Sequence, residues 1–193
     1  MNMRRNYAIV MGATSGIGRE VALELARRGW LVGIAGRRTE RLAALQAAAE
    51  GIVATAQIDI TRPDAPEQLD RLVAATGGMD LYFHSSGIGW QNLSLEEEKE
   101  LQTVATNGMG FVRMVGHAFN RLKQNGGGRI ACISSIAGTK GLGAAPAYSS
   151  TKRFQQHYLE CLDQLARMQR WPVRITDIRP GFVATELIAN GHY

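Results

Sequence analysis

Short apolar runs alternate with longer amphipathic segments along the whole chain. Six runs are almost continuously apolar, which is typical of strands buried on both faces. They span residues 7–11, 31–35, 52–58, 79–83, 129–133 and 173–178. Five segments between them have apolar residues at helical spacing. The first predicted helix spans about 16–28, and Thr39 caps the second. The third starts at Pro63 and Pro66 and reaches about 76. Ser94 caps a long fourth helix that starts at 96–98, and the fifth spans about 147–169.

The order of these elements predicts an α/β fold with one doubly wound parallel sheet and helices on both faces, in three layers. Ligands of such sheets bind beyond the carboxyl ends of the strands, where the strand order reverses. The turns that follow the strands are therefore the places where chemistry is expected.

Length and composition indicate one domain over residues 1–193, because 193 residues with 45% apolar content can bury a sizeable core. The net charge is +5, but the arginines are scattered and form no basic stripe with interleaved aromatic residues, so no nucleic-acid partner is expected. The apolar start is too short to span a bilayer and lacks a signal-peptide cleavage pattern. Two cysteines cannot form a disulfide framework. We therefore expect a cytoplasmic protein with no membrane partner and no metal site.

A glycine-rich turn follows the first predicted strand and opens the first helix. It reads Gly12-Ala13-Thr14-Ser15-Gly16-Ile17-Gly18. Its glycines permit a tight turn and close approach of the backbone to a pyrophosphate at the helix N-terminus. The alternative is a turn whose glycines only let the helix pack against the strand.

Two arginines follow the second predicted strand, where proteins that select NAD often have an acidic residue for the ribose 2′-hydroxyl. The guanidinium groups of Arg37 and Arg38 favour a 2′-phosphate instead, through charge-assisted hydrogen bonds. This favours NADP(H) over NAD(H). The alternative is a pair of solvated arginines beside Glu40.

Tyr148 and Lys152 lie at the start of the last predicted helix, four residues apart and so on the same helix face. A phenol is a poor base near neutral pH, but a fixed ammonium nearby favours the phenolate. Lowering the phenol pKa by ~3 units requires about 4 kcal/mol of preferential stabilisation, which a lysine and a cationic nicotinamide together can supply. The alternative is an ordinary amphipathic helix start with an exposed lysine.

Taken together, these motifs resemble those of the short-chain dehydrogenase/reductase family, and the resemblance covers nearly the whole chain. The glycine turn matches the family's glycine motif, and Tyr148 and Lys152 match its Y-x3-K pair. Ser135 lies thirteen residues before Tyr148, at the offset of the family's catalytic serine. Asn107 corresponds to its structural and catalytic asparagine. The segment 180–185 resembles the family's P-G-x-V-x-T turn.

The resemblance implies a Rossmann fold and a catalytic role for four residues. Tyr148 would be the general acid for carbonyl reduction or the base for alcohol oxidation. Lys152 would hold the nicotinamide ribose, and Ser135 would donate a hydrogen bond to the reacting oxygen. Asn107 would lie in a kinked helix whose freed carbonyl holds a water of a proton relay. The alternative for Asn107 is a helix irregularity where Gly108 and Gly110 allow close packing.

The resemblance also extends the cofactor site. Asp59 would contact adenine, while Val183 and Thr185 would meet the nicotinamide amide. The predicted cofactor-binding residues are Gly12, Thr14, Ser15, Gly16, Ile17, Gly18, Arg37, Arg38, Asp59, Ile60, Ser86, Gly87, Tyr148, Lys152, Pro180, Gly181, Val183 and Thr185.

One segment departs from the family pattern. Where the family usually has Asn-Asn-Ala-Gly after the fourth strand, this chain reads His84-Ser85-Ser86-Gly87. We expect the backbone path at Gly87 to be kept, and His84 to be a hydrogen-bonded histidine near the core. A titrating histidine is the alternative.

These inferences predict an NADP(H)-dependent oxidoreductase that interconverts a carbonyl and a secondary alcohol by hydride transfer. The alternatives are a 3-oxoacyl thioester reductase within the same class and a non-catalytic NADP(H)-binding sensor. Residues 88–93 and 138–145 are expected to line a pocket for a small-molecule substrate, with Trp90 and Leu142 as walls and Gln91 and Asn92 as polar contacts. Nothing in the sequence selects the substrate.

Two expectations concern the whole assembly. In the family the fourth and fifth helices pair across a twofold axis, so a homodimer or homotetramer is expected through them. Relatives continue beyond the sixth strand through a substrate-covering lid and a last strand. We therefore expect that the chain is truncated at its C-terminus and lacks both. The alternative is that a partner completes the sheet edge.

Overall fold

A parallel sheet of six strands forms the middle layer of the molecule, for which a computed structural model describes residues 6–183. The strands are β1 (Tyr7–Met11), β2 (Leu31–Gly36), β3 (Ile52–Gln57), β4 (Leu81–His84), β5 (Gly128–Ile133) and β6 (Val173–Ile178). Their order in the sheet is β3-β2-β1-β4-β5-β6, and every neighbouring pair is parallel. The doubly wound parallel sheet predicted from the sequence is confirmed.

Helices cover the two faces of the sheet. They are α1 (Gly16–Arg27), α2 (Thr39–Ala47), α3 (Ala65–Thr76), α4 (Glu97–Val104), α5 (Phe111–Gln124) and α6 (Pro146–Met168). A π-helical turn (Ala105–Gly110) joins α4 to α5, and a 3-10 turn (Ile136–Gly138) follows β5. The predicted fourth helix is thus α4, the π-turn and α5 in one continuous run, and the predicted fifth helix is α6.

The core has two halves, one on each face of the sheet. Ala8 and Val10 of β1 pack with α1 and α2, while Ile9 and Met11 pack with α3, α5 and α6. All four side chains are fully buried, as the continuous apolar run predicted. Burial on both faces does not extend to the edge strands β3 and β6, where buried and exposed residues alternate. An edge strand has one neighbour and less helix cover, which an apolar run alone does not reveal.

Two predicted helix caps are wrong. Thr39 is the first residue of α2 and Arg38 precedes it as the N-cap residue. Ser94 does not cap α4, since its hydroxyl donates to the Glu96 carboxylate instead. The buried side chain of Asn92 binds the backbone N–H and carbonyl of Glu96 and so fixes the approach to α4.

None of the helices between residues 6 and 183 combines the length and apolar character that crossing a membrane requires.

Candidate active site

A cleft of about 590 Å³ opens at the carboxyl ends of the strands, beside the position where the strand order reverses between β1 and β4. This is where ligands of open α/β sheets bind. The predicted residues that line it are Gly12, Thr14, Ser15, Gly16, Ile17, Arg37, Arg38, Asp59, Ile60, Ser86, Gly87, Ser135, Tyr148, Lys152, Pro180, Gly181 and Val183. Gly18 and Asn107 lie behind this lining, and Thr185 falls outside the described residues.

The glycine turn depends on the absence of side chains at specific points. Gly12 and Gly16 have φ angles of 88° and 53°, which favour glycine. A Cβ at Gly12 would lie 2.6 Å from the Ser86 nitrogen, and one at Gly18 would lie 2.3 Å from the Gly12 carbonyl oxygen. Gly18 therefore serves helix–strand packing, while Gly12 and Gly16 line the cleft. A backbone cradle of this kind fits a dinucleotide pyrophosphate.

The N-terminus of α1 faces this cradle without a side-chain cap. Ser15 is its N-cap residue, yet its hydroxyl makes no capping hydrogen bond. The hydroxyl instead accepts a hydrogen bond from Arg38 Nη2 at 2.7 Å. Arg38 Nη2 also donates to Thr14 Oγ1 at 2.8 Å. The guanidinium is thereby held against the glycine turn.

A second charged group lines the same end of the cleft. Asp59 Oδ1 accepts hydrogen bonds from the Thr61 backbone N–H at 3.0 Å and from the Thr61 hydroxyl at 2.7 Å. Burial alone would raise the pKa of Asp59, but these bonds and the charges of Arg37 and Arg62 bring it below its ordinary value. Asp59 is therefore a fixed carboxylate.

The tyrosine and lysine meet at the floor of the cleft. Lys152 is almost completely buried, and its Nζ donates to the Ile133 carbonyl at 3.0 Å. The same Nζ lies 5.6 Å from the centre of the Tyr148 ring. Burial lowers the pKa of Lys152 to about 8, against the opposing effects of Cys132 and Asp177. An ammonium held this close to a phenol favours its ionised form.

Ser135 stands where β5 ends, and its hydroxyl also lines the cleft. Its backbone is extended, and its Oγ accepts a hydrogen bond from the Ala137 N–H at 3.1 Å. Gln156 of α6 donates to the Ser135 carbonyl at 2.7 Å, so the serine is tied to the helix that carries Tyr148. The hydroxyl hydrogen is left to donate into the cleft.

Asn107 is fully buried in the π-turn and supports the cleft from behind. Its side chain accepts from the Ile88 N–H at 2.9 Å and donates to the Ile88 carbonyl at 2.7 Å. The amide also donates to Thr151 Oγ1 at 3.2 Å. These bonds join the π-turn to the segment after β4 and to α6.

Gln155 is a buried polar residue that the sequence reasoning missed. Its Nε2 donates to the Asn107 carbonyl at 2.9 Å. The carbonyl expected to be free for a water therefore has one protein donor already, although a carbonyl oxygen can accept two bonds. A glutamine three residues after Lys152 on an inward helix face is the signal that could have indicated it.

His84 is a buried histidine at the end of β4, as expected. Its Nδ1 lies 3.0 Å from the Tyr82 hydroxyl, and its ring packs edge-to-face with the Phe111 ring, 5.2 Å between centroids. Within residues 6–183 its Nε2 has no hydrogen-bond partner of normal geometry. Burial, followed by the charge of Lys152, lowers the pKa of His84 to about 3. The imidazole is therefore neutral near pH 7.

The rest of the predicted pocket is only partly as expected. Leu142 and Gln91 line the cleft, but Trp90 and Asn92 do not. Asn92 turns inward and binds Glu96 and Glu100, so it offers no polar contact to a substrate. Pro180 accepts the Ile136 N–H at 3.1 Å, which places the 180–183 segment beside Ser135.

The doubly wound sheet, the glycine cradle and the cleft at the reversal point define a nucleotide-binding protein of the Rossmann class. A family model described as short chain dehydrogenase matches residues 6–191. An uncharacterised oxidoreductase of Myxococcus xanthus is 36% identical over 197 residues, covering 99% of this chain and 77% of the relative. The chain therefore belongs to the short-chain dehydrogenase/reductase family and is an oxidoreductase of that family.

Solved structures share this fold. A variant actinorhodin polyketide ketoreductase with NADPH is 28% identical, with a TM-score of 0.83 over 96% of this chain and 74% of that one. A short-chain dehydrogenase/reductase of Burkholderia phymatum in complex with NAD has a TM-score of 0.88 at 22% identity, over 98% of this chain and 70% of that one. The fold is thus shared by proteins crystallised with either nucleotide.

Proposed function

We propose that this chain interconverts a carbonyl and a secondary alcohol by NADP(H)-dependent hydride transfer, with Tyr148 as the general acid or base. The observation that carries the proposal is the buried Lys152 ammonium 5.6 Å from the Tyr148 ring, at the floor of the nucleotide cleft. A lone Y-x3-K spacing does not require that contact. The contact supplies the electrostatic condition under which a phenol exchanges protons near neutral pH.

Each catalytic residue has a distinct part in this proposal. Tyr148 gives its phenolic proton to the carbonyl oxygen during reduction and removes the alcohol proton during oxidation. Ser135 donates a hydrogen bond to the same oxygen as negative charge develops there. Lys152 holds its charge beside the phenol because the Ile133 carbonyl fixes its Nζ. Asn107 keeps Ile88 and α6 in register behind the cleft.

When bound, a nicotinamide nucleotide would supply the hydride for reduction, or accept it in oxidation, because no side chain can do so. The glycine cradle at α1 would hold its pyrophosphate, and Asp59 would face the adenine end. Arg38, held on Thr14 and Ser15, and Arg37 beside it would bind a ribose 2′-phosphate. Pro180, Gly181 and Val183 would flank the nicotinamide. This arrangement supports NADP(H) as the preferred nucleotide.

The substrate is a small molecule that enters beside Gln91, Leu142 and Ala144, in a mostly apolar part of the cleft. A 3-oxoacyl thioester is one specific candidate of the same class. The assembly that we propose is a homodimer or homotetramer built through the continuous run α4–α5 and through α6. Exposed apolar residues on α4 and α6 support it, whereas the large apolar residues of α5 are buried.

Tyr148→Phe tests the function directly. We expect kcat for NADPH-dependent reduction to fall by about a thousandfold, because general acid catalysis contributes that order of rate. NADPH affinity, measured by fluorescence titration, should stay near its original value. The assay is NADPH consumption over a panel of ketones, sugars and 3-oxoacyl thioesters.

Tyr158→Phe is the matched control, because that phenol lies on the same helix but outside the cleft. Turnover that survives Tyr148→Phe would remove Tyr148 from its role. NADPH binding with no turnover across the panel would instead indicate a non-catalytic sensor.

Substitution of the two arginines tests the nucleotide preference. Arg37→Ala with Arg38→Ala should weaken NADPH binding by about ten- to a hundredfold, the order expected when charge-assisted hydrogen bonds are lost. NADH binding should change little, since NADH has no 2′-phosphate. Arg41→Ala, on the exposed face of α2, controls for loss of charge alone. Equal losses for both nucleotides would refute the assignment.

A further inference from the structure

The side chain of Glu100, on α4, joins the start of α6 to the loop before α4, and both flank the substrate end of the cleft. Its Oε2 accepts a hydrogen bond from the Ala147 N–H at 3.0 Å. Its Oε1 accepts one from Asn92 Nδ2 at 2.8 Å. One carboxylate therefore contacts both the start of α6 and the segment between β4 and α4.

The first of these contacts lies next to Tyr148. Ala147 is the second residue of α6, and the N-cap residue Ala145 has no side chain that can bind the open N–H groups of the first turn. A helix N-terminus carries partial positive charge, so a carboxylate there is stabilising. Glu100 thus supplies a cap that the local sequence lacks, one residue before the proposed catalytic tyrosine.

The second contact fixes the walls of the cleft. Asn92 is 2% exposed, and its backbone N–H donates to the Ala144 carbonyl at 2.8 Å. Its neighbour Gln91 and its partner Ala144 both line the cleft. The Glu100 contact therefore adds to the two bonds between the Asn92 side chain and the Glu96 backbone, and supports both walls through Asn92.

We propose that Glu100 is a positioning residue that acts through α6 and Asn92, and that its negative charge sets the pH at which Tyr148 exchanges its proton. This inference rests on the proposed function. The positive helix end favours the phenolate, and the Glu100 carboxylate opposes that effect. Removal of the charge should therefore let Tyr148 ionise at lower pH.

Other charged groups near Tyr148 also affect the ionisation of its phenol, directly or through Lys152. Lys152 on α6 and Lys140 after the 3-10 turn line the same cleft and favour the phenolate. Asp177 on β6 interacts with Lys152, while His84 on β4 is neutral at neutral pH. Glu100 is the carboxylate bonded to the backbone beside Tyr148, so Glu100→Gln removes one negative charge together with one of the two hydrogen bonds that the carboxylate accepts.

Glu100→Gln is the informative substitution, because it keeps the size and one acceptor oxygen but removes the charge. In the reduction direction, kcat/KM falls as pH rises through the Tyr148 pKa. We expect this fall to move to lower pH by about half a unit. Glu97→Gln, an exposed residue of the same helix, removes an equal charge and should leave the profile unchanged.

Glu100→Asp separates the effect of the charge from that of the tether, by which we mean the hydrogen bonds that Glu100 accepts from Ala147 and Asn92. It keeps the carboxylate but shortens its reach, so we expect a higher KM for the carbonyl substrate with a pH profile near that of the unmodified protein. A solely structural role would lower activity in both variants without a pH shift. If Glu100→Gln failed to fold, as judged by circular dichroism, an unchanged KM in Glu100→Asp would still refute the tether.

A second readout does not require turnover. The ultraviolet absorbance of tyrosinate, taken as the difference between the protein and its Tyr148→Phe variant, titrates the Tyr148 phenol alone. A downward shift of that titration in Glu100→Gln, absent in Glu97→Gln, supports the proposal. Superimposable titrations would overturn it. Absence of turnover in the unmodified protein would contradict the proposed function and leave this titration to decide the role of Glu100.

Discussion

At the scale of single residues, His84 shows how one departure from a family pattern places a titratable group at a buried position. The histidine is 1% exposed and contacts both the Tyr82 hydroxyl and the Phe111 ring. An imidazole in this position is stable only when neutral, because burial and the Lys152 charge both oppose protonation. The asparagine that the family usually has at this position cannot titrate.

This difference predicts a dependence of stability on pH. The pKa of His84 is lowered from 6.5 to about 3, so the unfolded chain binds a proton below pH 6.5 that the folded chain refuses. The stability from the neutral histidine is complete above pH 6.5 and is lost as pH falls towards 3. At pH 5 the loss should be about 2 kcal/mol.

Urea unfolding at pH 7.5 and pH 5 measures this loss. We expect His84→Asn to remove most of it, whatever the variant's stability at pH 7.5. His157→Asn, at an exposed histidine, should retain the full loss. Equal losses in the original chain and in His84→Asn would show that His84 does not titrate in this way.

At the scale of secondary structure elements, the sequence predicted the strands well and the helix ends less well. Apolar runs locate strands because burial on a sheet requires continuous hydrophobicity. Whether a strand is central or at an edge depends on its neighbours, which is why the alternating burial of β3 and β6 was not foreseen. Ser94 was predicted as a cap from its position, yet Asn92 is the residue that binds the Glu96 backbone.

For the π-turn, the sequence predicted the irregular helix but not the contacts that it makes. Asn107 with two nearby glycines indicated an irregular helix, and a Cβ at Gly110 would lie 2.9 Å from Ile60 Cγ1. The partners of Asn107 could not be predicted, because Ile88 and Gln155 are distant in sequence and meet it only in the folded chain.

The candidate site also contains residues that the sequence predicted and residues that it did not. Motif residues such as Gly12, Tyr148 and Lys152 were identified from spacing, since the chemistry requires those residue types at those offsets. Glu100 and Gln155 were missed because a polar residue on a helix ordinarily indicates a solvated face. Their inward contacts depend on α6 packing against α4 and the π-turn.

At the scale of the whole molecule, apolar side chains on the outer faces of two adjacent helices remain in contact with solvent. Leu101 and Val104 of α4 are 60% and 45% exposed, and Phe154 of α6 is 45% exposed. Phe154 stacks on Tyr158, which gives the patch a rigid aromatic centre. Leu165 and Met168 extend the patch along α6. Several exposed apolar side chains on adjacent helices are typical of an interface between proteins.

We therefore expect self-association through this patch. Light scattering at micromolar concentration should give at least twice the mass of one chain. Phe154→Glu should raise the dissociation constant by at least about tenfold, because a central aromatic anchor is lost and a charge would be buried. Leu93→Glu is the matched control, since Leu93 is more exposed but lies in the loop before α4, outside the patch. A monomeric mass for the unmodified chain would contradict the assembly. An equal effect of both substitutions would place the interface elsewhere.

Because α4 carries Glu100 and α6 carries Tyr148, a dimer formed here would hold together the two helices that the proposed active site requires in register. Phe154→Glu should then also reduce kcat at concentrations below the dissociation constant.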